Sequence, residues 1–96
     1  MRSKYPIPRW IYIDVDDTLI KDGVLNQYLI DWCKQKKDEG YKLVLWSARG
    51  NEYATQVATT ANITGIFDYI ISKPGFIVDD DGWRWANFVP NLDVWR

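Results

Sequence analysis

Histidine is missing from this 96-residue chain, and cysteine occurs once, at Cys33. The first absence excludes Ser-His-Asp and Cys-His catalysis and any histidine-held metal. The second excludes a disulfide framework and a cysteine zinc cluster. Any general acid or base must therefore be a carboxyl, a lysine, a tyrosine or the lone thiol. Charge of one sign is also lacking: 12 Lys and Arg stand against 13 Asp and Glu, a formal net charge of −1. No global basic field draws the chain onto nucleic acid. No apolar run approaches the roughly 20 residues that span a bilayer. The basic start, MRSKYPIPRW, has no apolar signal core, so a cytoplasmic protein without membrane contact is the expectation.

What is present is an ordinary globular composition, 47% hydrophobic and 26% charged, with an aromatic share of 16% that includes six Trp. The length fits one domain, residues 1–96, and a chain this short has a thin stability margin. Trp10 to Val15 (WIYIDV) is rich in β-branched and aromatic residues and reads as a buried strand. Asp22-Gly23 between short apolar runs in Thr18 to Leu25 signals a hairpin. From Asn26, Leu29, Trp32, Cys33 and Lys36 recur at helical spacing, and Gly40 stops the helix. Tyr41 to Trp46 reads as a second strand. Asn51 is expected to cap a helix running to about Ala61, with Tyr53, Val57 and Ala61 facing inward. Phe67 to Ile71 reads as a third strand, and Phe76 to Val78, after Pro74-Gly75, as a fourth.

Strands alternating with helices predict βαβ units and a parallel sheet. Ligands bind such sheets beyond the carboxyl ends of the strands. Asp14, Asp16, Ser47, Lys73, Asp79 and Asp80 fall at those ends. Clustered carboxylates stay ionised together only around a cation, and all-oxygen donors select Mg²⁺ over Zn²⁺. A carboxylate can also act as a nucleophile on phosphorus, with Lys73 and Ser47 suited to phosphoryl oxygens. Each cluster alone has a plainer reading as a solvated turn. An EF-hand does not fit, because Leu19 and Leu25 stand where the loop needs Gly and Glu.

Four segments resemble the motifs of the haloacid dehalogenase superfamily, in order. Ile11-Tyr-Ile-Asp14-Val-Asp16-Asp-Thr18 is similar to the first, Leu43-Val-Leu-Trp-Ser47 to the second, Lys73 to the third, and Phe76-Ile-Val-Asp79-Asp80 to the fourth. The resemblance implies a Rossmann-like parallel sheet with flanking helices and a short β-hairpin flap. It implies a Mg²⁺-dependent phosphomonoester hydrolase working through an aspartyl-phosphate. Asp14 would be the nucleophile and a Mg²⁺ ligand. Asp16 would be the acid/base and bind Mg²⁺ through its backbone carbonyl. Ser47 and Lys73 would hold the phosphoryl group, and Asp79 would ligate Mg²⁺ with Asp80 assisting, although Asp81 leaves the register between those two open. Arg49 has two readings, a substrate contact and a solvated surface arginine.

The intervals between motifs are too short for a cap domain, so the chain resembles the capless members. The substrate is then either a nucleic-acid or protein phosphate end, or a small phosphate ester at a site covered in a homo-oligomer. A non-hydrolytic Mg²⁺-dependent phospho-acceptor, like a receiver domain, is the alternative. Asp16 and the placement of the nucleophile on the first strand weigh against it. The remaining tail, with Trp83, Trp85, Phe88 and Trp95, is expected to pack back onto the small core, a contact surface being the other reading.

Overall fold

The computed structural model describes residues 6–92, apart from the Phe88 side chain. Its framework is a three-stranded parallel sheet of β1 (Trp10–Asp14), β4 (Lys42–Ser47) and β5 (Tyr69–Ser72), in the order β1-β4-β5. Trp10 pairs with Lys42 and Asp14 with Trp46; Val44 pairs with Tyr69 and Ser47 with Ser72. All three strands therefore end at one edge. After β1 comes an antiparallel hairpin, β2 (Ile20–Lys21) and β3 (Val24–Leu25). Its turn residues, Asp22 and Gly23, have φ of 51° and 77°, the pair of positive values that a tight hairpin of matching twist requires.

Helix α1 (Gln27–Asp38) starts where expected. The Asn26 side chain accepts a hydrogen bond from the Leu29 backbone N–H at 3.0 Å, satisfying one of the orphan donors of the first turn. Gly40, at φ 93°, ends it by a conformation that favours glycine. Helix α2 (Asn51–Thr60) departs from expectation in its cap. Gly50, not Asn51, occupies that position, at φ 104° and ψ 163°, which only glycine adopts readily. Asn51 opens the helix, and its N–H donates to Ser72 Oγ at 2.8 Å. The inward face of α2 is broader than expected: Ala54 and Ala58 are buried on it, and Tyr53, Val57 and the following Ala61 pack half-buried against the same core.

The strand order carries a consequence for the layers. The chain advances in one direction, β1 to β4 to β5, and right-handed crossovers without a reversal place their helices on the same face. Ile13, Leu43 and Leu45 face α1 and α2 and form one core with Leu29, Ile30, Cys33, Ala54 and Ala58. The alternate residues populate the opposite face. There Trp10 stacks on Tyr69 with centroids 5.6 Å apart, and Tyr12 meets Trp46 at 4.8 Å. Trp10, Tyr12 and Tyr69 are exposed.

The fourth strand does not form. Residues 73–79 carry no strand, and Phe76 and Val78 are 87% and 95% exposed. A run of three apolar residues between Pro-Gly and three aspartates gives too little length and too little buried surface to hold a sheet position. The tail expectation is corrected too. Trp83 and Trp85 contact each other, centroids 5.9 Å apart around a short 3₁₀ turn (Arg84–Phe88), and neither joins the core. Trp95 lies outside the described residues. Those residues contain no cap domain, and none of their helices is long and apolar enough to cross a membrane.

Candidate active site

Three strand ends meet at one edge because the parallel register aligns them. Asp14 closes β1, Ser47 closes β4, and Lys73 follows β5, its backbone N–H donating to the Ser47 carbonyl at 2.9 Å. That bond sets the Lys73 side chain beside Asp14, with Nζ 3.1 Å from Oδ1. The other carboxylate oxygen, Oδ2, accepts from the Thr18 hydroxyl at 3.3 Å. Lys73 Nζ also lies 5.6 Å from the centre of the Trp46 ring, a cation–π contact that narrows where the ammonium can go.

A tight turn folds the chain away after β1. The Val15 carbonyl accepts from the N–H groups of Thr18, Leu19 and Ile20, and Asp17 takes a φ of 61°. Leu19 and Val15 are wholly buried, which anchors the turn. The same turn brings Thr18 back onto Asp14. Thr18 is thus part of the site. A Thr four residues after the strand-end aspartate is the available signal.

Asp16 points elsewhere. Its Oδ1 accepts from the Tyr53 hydroxyl at 2.6 Å, and its Oδ2 lies 3.4 Å from an Arg49 nitrogen. The Arg49 guanidinium stacks over the Tyr53 ring at 3.7 Å. The hydrogen bond to Asp16 is the main reason that the Tyr53 hydroxyl titrates above its ordinary value, with burial and the Asp16 charge adding to it. Arg49 is therefore engaged with Asp16. Tyr53 faces inward as expected, but its bond to Asp16 is the contact that sequence reasoning missed. The i, i+4 spacing from Arg49 was its only trace.

Ser47 is 2% exposed, and its Oγ accepts from the Arg49 N–H at 3.0 Å. Its own proton remains to be donated. Asp79 and Asp80 are not part of this assembly. Both are exposed on the non-strand segment, and Asp79 Oδ1 accepts from the Asp81 N–H at 2.8 Å. Among the described residues no group of three or more His, Cys, Asp or Glu side chains gathers as a metal cage. The donors at the edge nonetheless suit Mg²⁺, which needs only one or two protein carboxylates besides water and a phosphate, and Asp14 supplies one. Cys33 takes no part: burial pushes its thiol up to about 11, so it stays protonated and unreactive.

In chemical terms the edge pairs a carboxylate with an ammonium, and the turn after β1 carries a second carboxylate held by a phenol and a guanidinium. The family model described as haloacid dehalogenase-like hydrolase matches residues 11–87, which include every one of these groups. No curated protein and no solved structure matches the chain.

Proposed function

The chain belongs to the haloacid dehalogenase-like hydrolases, and from that premise we propose that it hydrolyses phosphomonoesters with Asp14 as the nucleophile. The observation that carries the reading is the Asp14–Lys73 pair, at 3.1 Å, on the carboxyl edge of a parallel sheet. Lys73 and Thr18 hold the Asp14 carboxylate in place, and the ammonium offers the charge that a phosphoryl oxygen seeks. An Asp14 oxygen attacks phosphorus, and the bond from phosphorus to the ester oxygen breaks. That oxygen takes its proton from Asp16. Water then attacks the aspartyl-phosphate, Asp16 accepts a water proton, and phosphate leaves as the bonding pair returns to Asp14. Ser47 donates its hydroxyl proton to the phosphoryl group.

Asp14 and the Asp16 backbone carbonyl would hold Mg²⁺, with Asp79 and Asp80 as further ligands. The ion supplies charge neutralisation to the phosphoryl group.

The test is turnover of a panel of nucleotides, sugar phosphates and phosphorylated oligonucleotides with Mg²⁺ and with EDTA, followed by mass spectrometry of acid-quenched protein. Mg²⁺-dependent release of phosphate and a phosphoryl adduct on the peptide containing Asp14 are expected. Turnover that persists in EDTA, or an adduct elsewhere, overturns the assignment.

A further inference from the structure

The hairpin β2–β3 and helix α2 face each other across a groove of about 410 Å³. Ile20 and Leu25, partners in the hairpin register, form one wall. Tyr53 and Val57 on α2, with Ala61 just past its end, form the other, with Thr60 exposed at its rim. The size lies within the range of roughly 300–1,000 Å³ typical of small-ligand sites. None of these side chains is charged at neutral pH, the Tyr53 phenol included.

Tyr53 belongs to two places at once. Its ring lines the groove, and its hydroxyl lies 2.6 Å from the Asp16 carboxylate. In the reaction proposed above, Asp16 protonates the departing oxygen. The rest of the leaving group must then continue from Asp16, and the Tyr53 ring leads from that carboxylate into the groove. The floor it meets there is apolar, so a charged or heavily hydroxylated body would lose its hydration with little return. A planar or branched apolar body would gain by burying one face there.

We propose that the groove between the hairpin and α2 receives the leaving group of the phosphoester, and that this leaving group is uncharged and largely apolar, of bicyclic aromatic size. The proposal rests on the hydrolase reading for its chemistry, but the binding of the alcohol product does not depend on turnover.

Two measurements decide it. The first compares 2-naphthyl phosphate with phenyl phosphate, whose departing phenols are of similar acidity. KM should be roughly tenfold lower for the naphthyl ester, the worth of about 50 Å² of added apolar burial. In Thr60→Trp, which fills the groove from an exposed position, the ratio should fall to near one. Equal KM values in the wild type, or an unchanged ratio in a folded Thr60→Trp, overturn the proposal. The second titrates 2-naphthol into the wild-type chain and follows methyl resonances by NMR. Saturable shifts at Leu25, Val57 and Ala61 support the groove; their absence, or shifts confined to other residues, rejects it. A chain that turned over no phosphate ester yet gave those shifts would sink the hydrolase reading alone. If Thr60→Trp does not fold, Leu25→Ser removes part of the hairpin wall and should likewise raise KM for the naphthyl ester more than for the phenyl ester.

Discussion

The chain has two clusters of aspartates, and their fates differ. Asp14 and Asp16 follow an apolar run of four residues whose alternate members, Ile11 and Ile13, pack under two helices. Asp79, Asp80 and Asp81 follow a run of three with Phe76 and Val78 almost wholly exposed. The first cluster is pinned: Asp14 by Lys73 and Thr18, Asp16 by Tyr53 and Arg49. The second makes its contacts locally, Asp79 with the Asp81 N–H and Asp81 with the Arg84 guanidinium. A carboxylate becomes a positioned reagent when the strand beneath it is buried. Acidic residues in sequence proximity are not enough.

The comparison is broken most sharply by replacing the pinned residues. Asp14→Asn should abolish turnover while leaving the fold intact, because the amide is nearly isosteric but a poor nucleophile. Steady-state assay beside circular dichroism checks this, and activity above a few per cent of wild type would remove Asp14 from its role. Asp16→Asn should lower kcat by roughly 10²–10⁴-fold, with less loss for esters whose leaving groups need no proton. An equal loss across leaving groups of different acidity argues against the acid/base assignment.

Stability should divide along the same line. Leu45 is wholly buried under the helices, so Leu45→Ala should cost about 2–5 kcal/mol in urea unfolding. Val78→Ala should stay within roughly 0.5 kcal/mol. A Val78 cost near that of Leu45 would mean that residues 76–78 are packed after all.

A smaller effect than that of Leu45 concerns Asp68, which precedes β5 and stitches it to β4. Its Oδ2 accepts from the Leu43 backbone N–H at 2.8 Å, and that bond, with the Lys37 and Lys42 charges, holds its carboxyl below the ordinary value. The folded chain therefore favours the ionised form. The stabilisation is present above about pH 4, where the unfolded carboxyl is also ionised, and is lost as pH falls through the lower folded value. Asp68→Asn should remove about 1 kcal/mol at neutral pH and flatten the acid limb of the stability profile. An unchanged acid limb would contradict the role.

Much of this was legible in the residues. The hairpin could be read from Asp22-Gly23, α1 from Asn26 and Gly40, and the family from an ordered set of short motifs, because turns, caps and strand ends depend on local chemistry. Lys73 could be named as a site residue, but not its distance from Asp14. That distance rests on the Lys73 backbone bonding to Ser47, a contact across 26 positions that no local pattern encodes. The inward face of Tyr53 was legible but its bond to Asp16 was not, because helical periodicity places a residue on a face without saying what its far end reaches. The fourth strand was misread because Phe-Ile-Val has strand character as a tripeptide, whereas a strand also needs a neighbour and a cover.

The sequence by itself determined the class of fold, the order of most of its elements, the absence of histidine chemistry, and the strand-end aspartate that family membership singles out. Only the tertiary structure decided which acidic residues gather, that both helices cover one face, and that Tyr53 and Arg49 are joined to Asp16. Local patterns arise from backbone preferences within a few residues, whereas these outcomes follow from strand register and burial, which exist only once distant segments have paired.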